Sequence, residues 1–118
     1  MENVLIEYKS LFKGQQNESV EYKVNGLIDE NRILFEANHQ HIEIIYSEDS
    51  IILINNESRL SLNKLKTLNY YKTQYGDLML YTKLINVKIS DTLIGFKYEL
   101  YDETLITTVY TTIKLIYS

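Results

Sequence analysis

The chain has 118 residues, a formal net charge of −4 and no Cys. A domain of this length buries roughly 65% of the surface that its unfolded chain exposes, which is enough for one core without covalent staples. The lack of Cys excludes disulfides and thiolate metal sites, and acids and lysines interspersed along the chain leave no basic stripe of the kind a nucleic-acid binder uses.

The first segment places Val4, Ile6, Tyr8 and Phe12 on one face, against Glu7 and Lys9 on the other. It begins with an early acid, an apolar run of only three residues and no basic region, unlike a signal peptide. No stretch reaches the ~20 apolar residues of a membrane-spanning helix. A cytoplasmic protein that does not engage membranes is the expectation. After the polar stretch Gly14–Ser19, the run Val20-Glu21-Tyr22-Lys23-Val24-Asn25-Gly26 alternates strictly, which is the period of a half-buried strand. Asp29-Glu30-Asn31 ends that segment. Ile42, Ile44 and Tyr46 then share a face, and the apolar run Ile51–Ile54 lies between the turn-forming stretches Ser47–Ser50 and Asn55–Ser58.

Leu60 and Leu62 alternate with Ser61 and Asn63, and Asn63–Leu68 reads as a single helical turn. From Leu78 to Ile89 the apolar phase flips near Lys83-Leu84, which predicts a β-bulge. Gly76-Asp77 precedes this stretch and Ser90-Asp91-Thr92 follows it. Ile94–Leu100 alternates again up to Asp102-Glu103. Leu105, Val109, Ile113 and Leu115 mark one face of the last segment, with Thr107 and Thr111 between them. Turns recurring about every ten residues, a chain free of Pro and an abundance of Ile, Leu, Tyr and Thr predict an all-β fold. The predicted form is one domain over residues 1–118, an antiparallel meander of about eight to ten strands closed into a barrel.

The segment Tyr71-Lys72-Thr73-Gln74-Tyr75-Gly76-Asp77-Leu78-Met79-Leu80 resembles the Tyr-x-Thr-x-Tyr-Gly-x-Leu-x-Leu signature of the YwiB-like family of small bacterial proteins. The resemblance takes in Gly26, Ile51-Ile52-Leu53-Ile54 and Tyr98-Glu99-Leu100, and covers most of the chain from about Val20 onward. It implies a calycin-like, lipocalin-like barrel and brings no catalytic residues with it, the family being one of unknown function. The chain departs from the family pattern at Asn55-Asn56-Glu57, where members tend to carry Arg-x-Gly, and at Phe35-Glu36-Ala37-Asn38, where an acidic pair is missing.

Three groups of side chains are candidates for chemistry. His39, His41 and Glu43 would project to one face of a strand, and two imidazoles with a carboxylate make a three-ligand Zn²⁺ or Fe²⁺ site. That face lies opposite Ile42, Ile44 and Tyr46, so solvated polar residues near a hairpin are the plainer reading. Tyr46, Tyr71, Tyr75 and Tyr98 are candidates to orient a bound ligand by hydrogen bonding, with their rings supplying apolar contact, although core packing explains most strand tyrosines. Lys72 and Arg59 are candidates for an anionic head group. No Gly-x-Ser-x-Gly elbow is present, and the carboxylate pairs Glu48-Asp49 and Asp102-Glu103 fall in turns.

The leading functional expectation is a non-enzymatic binding protein without a cofactor, taking a small apolar or amphipathic ligand in the barrel interior or mouth. The alternative is a structural or protein-interaction module, with homodimerisation as one form, whose barrel is packed. Phe12, Tyr22, Phe35, Tyr46, Phe96 and Tyr98 all read as inward, and six large rings in so short a barrel argue for a filled lumen. A metal-dependent enzyme resting on His39, His41 and Glu43 is the third reading.

Overall fold

The computed structural model describes residues 1–103 and 105–117. Ten strands run in chain order: β1 (Glu2–Lys13), β2 (Glu18–Asp29), β3 (Arg32–Ala37), β4 (Gln40–Tyr46), β5 (Ser50–Asn55), β6 (Ser58–Asn63), β7 (Thr67–Thr73), β8 (Gly76–Ile89), β9 (Leu93–Asp102) and β10 (Leu105–Tyr117). Hydrogen-bonded neighbours follow the order β6-β5-β4-β3-β2-β1-β10-β9-β8-β7, and every pair is antiparallel. The first and last strands pair along most of their length, from Val4 with Tyr117 to Lys13 with Thr108. The result is one nearly closed, barrel-shaped antiparallel sheet, as the alternation and turn spacing predict, and it is consistent with a calycin-like architecture.

Among the described residues there is no helix, and so none long and apolar enough to cross a membrane. The helical turn expected at Asn63–Leu68 is absent. Asn63 closes β6 and Thr67 opens β7, and side chains brace the bend between them. The Asn63 amide donates to Thr67 Oγ1 at 3.2 Å, and Thr67 Oγ1 donates to the Leu65 carbonyl at 2.9 Å. The three residues between the two strands are too few to offset the cost of nucleating a helix.

The phase flip in β8 is a bulge. Leu84 pairs with Tyr98 and Asn86 with Lys97, which leaves Ile85 as the extra residue. Leu80, Thr82 and Leu84 are buried before it, and Val87 is packed against the core after it. The inserted residue keeps an apolar side chain facing inward along both halves of a long, curving strand.

β6 and β7 form the two ends of the sheet, with no backbone ladder between them, and side chains close the seam. Asn69 Oδ1 accepts the Ser61 backbone N–H at 2.7 Å, and its Nδ2 donates to the Ser61 carbonyl at 3.2 Å and to Thr82 Oγ1 at 2.9 Å. Thr82 Oγ1 in turn donates to the same carbonyl at 2.8 Å. A carboxamide carries the same donor and acceptor as a peptide unit, so Asn69 supplies the rung that the missing ladder lacks. Ser58 Oγ adds a bond to the Lys72 carbonyl.

The strands define two ends. The turns β1–β2, β3–β4, β5–β6 and β7–β8 gather at one; the turns β2–β3, β4–β5, β6–β7 and β8–β9 gather at the other, with the termini. Near the second end Ile6, Ile33, Ile44, Ile51, Leu62, Leu84, Ile94 and Ile113 are fully buried and fill the lumen. The first end differs, and the difference defines the site.

Candidate functional site

Toward the first end the lumen holds a cavity of about 420 Å³. β1 and β2 contribute Tyr8, Ser10, Phe12 and Tyr22; β4, β5 and β6 contribute Gln40, Ile42, Leu53, Asn55 and Leu60. β7, β8 and β9 complete the wall with Tyr71, Thr73, Leu80, Tyr98 and Leu100. Among the described residues no charged side chain lines it. Gln40, Asn55, Tyr71 and Thr73 also belong to a second, polar depression, whose other walls include Asn56, Glu57, Ser58, Lys72 and Gln74. The apolar cavity therefore meets a polar mouth at the hairpin end of the barrel.

All six rings expected inside lie in the core or against it. The inference that they fill the lumen does not hold: a cavity remains, and Tyr22, Phe35, Phe96 and Tyr98 meet other rings on their own side of the sheet. Tyr8, Tyr22 and Phe35 form a triangle with centroids 5.7, 5.9 and 6.3 Å apart, and Phe96 stacks on Tyr98 at 6.1 Å. The opposing wall carries Ile42, Leu53 and Leu60, which leave the gap unfilled.

Polar groups are few and specifically held. Ser10 Oγ donates to the Tyr8 hydroxyl at 3.0 Å and lies 2.8 Å from Thr111 Oγ1. Asn55 Nδ2 donates to Gln40 Oε1 at 3.1 Å, while Asn55 Oδ1 is buried with no hydrogen-bond partner. Burial pushes the phenol of Tyr98 strongly upward from its ordinary value, with Tyr8 and Tyr71 adding to the effect, and burial also raises that of Tyr8.

A raised phenol pKa means that the folded state holds the proton more tightly than the unfolded chain. This contribution to stability is full below pH ~10 and is lost as pH rises past that value, where the unfolded tyrosines ionise first. Stability is therefore expected to fall in alkali. Tyr98→Phe should remove about one proton from that dependence, close to 1.4 kcal/mol per pH unit. Urea unfolding of both proteins between about pH 9 and pH 11 measures it; identical slopes would count against a neutral, buried Tyr98.

The candidate residues separate. Tyr71 and Tyr98 line the cavity, and Lys72 stands at the mouth, where Glu57 Oε2 holds its Nζ at 3.0 Å and raises its pKa. Tyr46 lies at the opposite end of β4, its hydroxyl donating to the Glu30 carbonyl at 3.0 Å. Tyr75 sits in the β7–β8 turn, 91% exposed. Neither is among the residues that line the cavity. Arg59 is exposed on β6.

The metal triad is not assembled. Asn38 and His39 both have positive φ, 52° and 61°, and form the two-residue turn between β3 and β4, so His39 leaves the strand alternation. Glu43 meets Arg32 at 3.5 Å, and His41 Nδ1 lies 3.9 Å from Glu36. Among the described residues no three His, Cys, Asp or Glu side chains are grouped to hold an ion.

Sequence reasoning missed Tyr8, Ser10, Gln40, Asn55 and Leu53 as site residues. A readable signal existed for two of them, since Ser10 and Asn55 stand on the inward parity of otherwise apolar strands.

Together these features define an antiparallel β-barrel, packed at one end and hollow at the other. The fold is similar to the crystal structure of the YwiB protein from Bacillus subtilis, with a TM-score of 0.75 over 96% of this chain and 91% of that one, at 15% sequence identity. The likeness supports the YwiB-like fold to which the Tyr71–Leu80 segment points, and at this identity it carries the fold alone. No family model and no curated protein matches the chain.

Proposed function

We propose that this is a non-enzymatic binding protein that holds a small apolar or amphipathic molecule in the hollow half of its barrel, without a cofactor. The observation that carries the reading is the cavity of about 420 Å³ in a barrel whose other end is fully packed. Protein interiors leave few voids larger than a water molecule, and ligand sites typically occupy about 300–1,000 Å³. The wall is mostly aliphatic and aromatic, with a few fixed polar groups near a polar mouth, the usual composition of such sites. The absence of Cys is in keeping with a cytoplasmic protein.

The test is a titration with N-phenyl-1-naphthylamine, a neutral apolar fluorophore. Saturable binding at one site is expected for the native protein. Leu53→Trp places an indole in the cavity and is expected to weaken binding at least about tenfold while circular dichroism stays unchanged. Equal binding by both proteins would contradict the reading.

A second reading has its own observation. The outer wall exposes Tyr70 (62%), Met79 (60%) and Ile106 (54%), and a surface of this kind suits a homodimer or another protein partner. Sedimentation equilibrium decides it; a monomer over a wide concentration range would remove the homodimer form.

A further inference from the structure

We propose that the Tyr98 hydroxyl is the polar anchor of the cavity, donating its proton to an acceptor oxygen on an otherwise apolar ligand such as a ketone or an ester. This deepens the binding reading above and rests on it. Three observations lead to it.

The first is position. β9 contributes Tyr98 and Leu100 to the cavity, while Ile94 and Phe96, on the same inward face nearer the packed end, are buried and do not line it. Tyr98 therefore stands at the floor, where a ligand that fills the cavity reaches deepest. Its ring stacks on Phe96 at 6.1 Å, and the residue is 4% exposed.

The second is an unanswered proton. Among the described residues the Tyr98 hydroxyl makes no hydrogen bond, whereas the phenols of Tyr46, Tyr101 and Tyr117 each donate to an oxygen. The Tyr98 oxygen is not sealed off. Among the described residues Asn55 Oδ1 alone lacks both a partner and accessible surface; the Tyr98 oxygen lacks the partner but keeps the surface. The space open to it is the cavity that its side chain lines. A buried hydroxyl without a partner is unfavourable, so a ligand oxygen placed there gains a bond that the protein itself does not supply.

The third is the direction of that bond. Burial holds the Tyr98 phenol neutral far into alkali, and Tyr8 and Tyr71 reinforce this. The proton is therefore present throughout the ordinary pH range. A phenol both donates and accepts, but the ring withdraws its lone-pair density, so donation is the stronger of the two. Among the described residues no cationic side chain lines the cavity to compete for the ligand oxygen.

The experiment compares 2-decanone with 2-methyl-1-decene, in which a methylene replaces the carbonyl oxygen, as displacers of N-phenyl-1-naphthylamine. The two differ in their transfer from water, so the quantity read is the ratio of their affinities in the native protein divided by the same ratio in Tyr98→Phe. This quotient should favour the ketone by about tenfold. The infrared carbonyl stretch of the bound ketone is a second measurement. In the native protein it should lie below its value in hydrocarbon solvent, and in Tyr98→Phe it should return toward that value. The native stretch is read without any variant, so a failure of Tyr98→Phe to fold leaves the test standing. A quotient below about twofold, or a native stretch equal to that in hydrocarbon, would overturn the inference and leave the binding reading intact. The same effects produced by Tyr71→Phe in place of Tyr98→Phe would overturn it too. Failure of the fluorophore itself to bind would overturn both.

Discussion

Asn69→Leu should lower the stability of the protein by about 3–5 kcal/mol, with a fall in Tm of about 10–20 °C. The replacement keeps the branching and the number of heavy atoms and leaves no void, so the loss comes from hydrogen bonding, with crowding by the larger methyl groups adding to it. It removes the bonds to the Ser61 N–H (2.7 Å), the Ser61 carbonyl (3.2 Å) and Thr82 Oγ1 (2.9 Å), in a place where Asn69 and Thr82 are buried. Each buried group left without a partner costs about 1–3 kcal/mol, and the Thr82 bond to the Ser61 carbonyl recovers only part of the total. Asn69→Asp is a sharper control. It keeps an acceptor for the Ser61 N–H but loses both donations and sets a carboxylate beside a carbonyl, so it should be no more stable than the Leu variant. Urea unfolding measures the stability, and amide exchange along β6 and β7 locates the change. A loss below about 1 kcal/mol would mean that the seam is held by other contacts.

Gly26→Val should be comparably damaging, at about 3 kcal/mol or more, with Gly26→Ala costing about 1–3 kcal/mol. A Cβ at this position would fall against Ile6 Cδ1, 2.6 Å from the Leu34 carbonyl oxygen and 3.1 Å from Phe35 Cβ. The Ile6 methyl can swing away, but the Leu34 carbonyl is backbone and cannot. Gly26 marks a corner of the barrel: β2 pairs with β3 only over Leu27–Asp29, while its earlier residues pair with β1 alone. That departure brings Val20 and Tyr22 to the cavity wall. A side chain at 26 would separate β2 from β3 at the corner, so thermal unfolding should show the loss directly. A Val variant as stable as the native protein would contradict so tight a crossing.

The strands were legible because burial on one face imposes a period of two. Val20, Tyr22 and Val24, and later Ile94, Phe96 and Tyr98, alternate with residues of the outer face, and the flip at Lys83-Leu84 located the bulge to within two residues of Ile85. The stretch Asn63–Leu68 reads as helical because local composition does not reveal that Asn63 and Thr67 brace a short link between the two end strands of the sheet.

The site was less legible for a different reason. Alternation tells which residues face inward, but not whether rings on neighbouring strands meet each other or reach across the lumen. Tyr8, Tyr22 and Phe35 meet each other, so a count of inward rings overestimated the filling. Tyr46 packs against the core but lies at the end of β4 away from the cavity, and depth along the axis depends on strand register, which one sequence does not disclose. The neglected signal was polar residues on inward parity. Ser10, Asn55, Asn69, Thr82 and Thr111 all stand at inward positions: Asn69 and Thr82 hold the seam, Ser10 and Asn55 line the cavity, and Thr111 contacts Ser10 from behind the lining.

The most direct test follows methyl NMR signals during titration with N-phenyl-1-naphthylamine. Ligand in the hollow end should shift Ile42, Leu53, Leu60 and Leu100, which line the cavity, and leave Met79, Ile106 and Ile116 on the outer wall unmoved. Shifts confined to Met79 and Ile106, or no shift at Leu53 and Leu60 at saturation, would contradict a barrel built to hold a ligand.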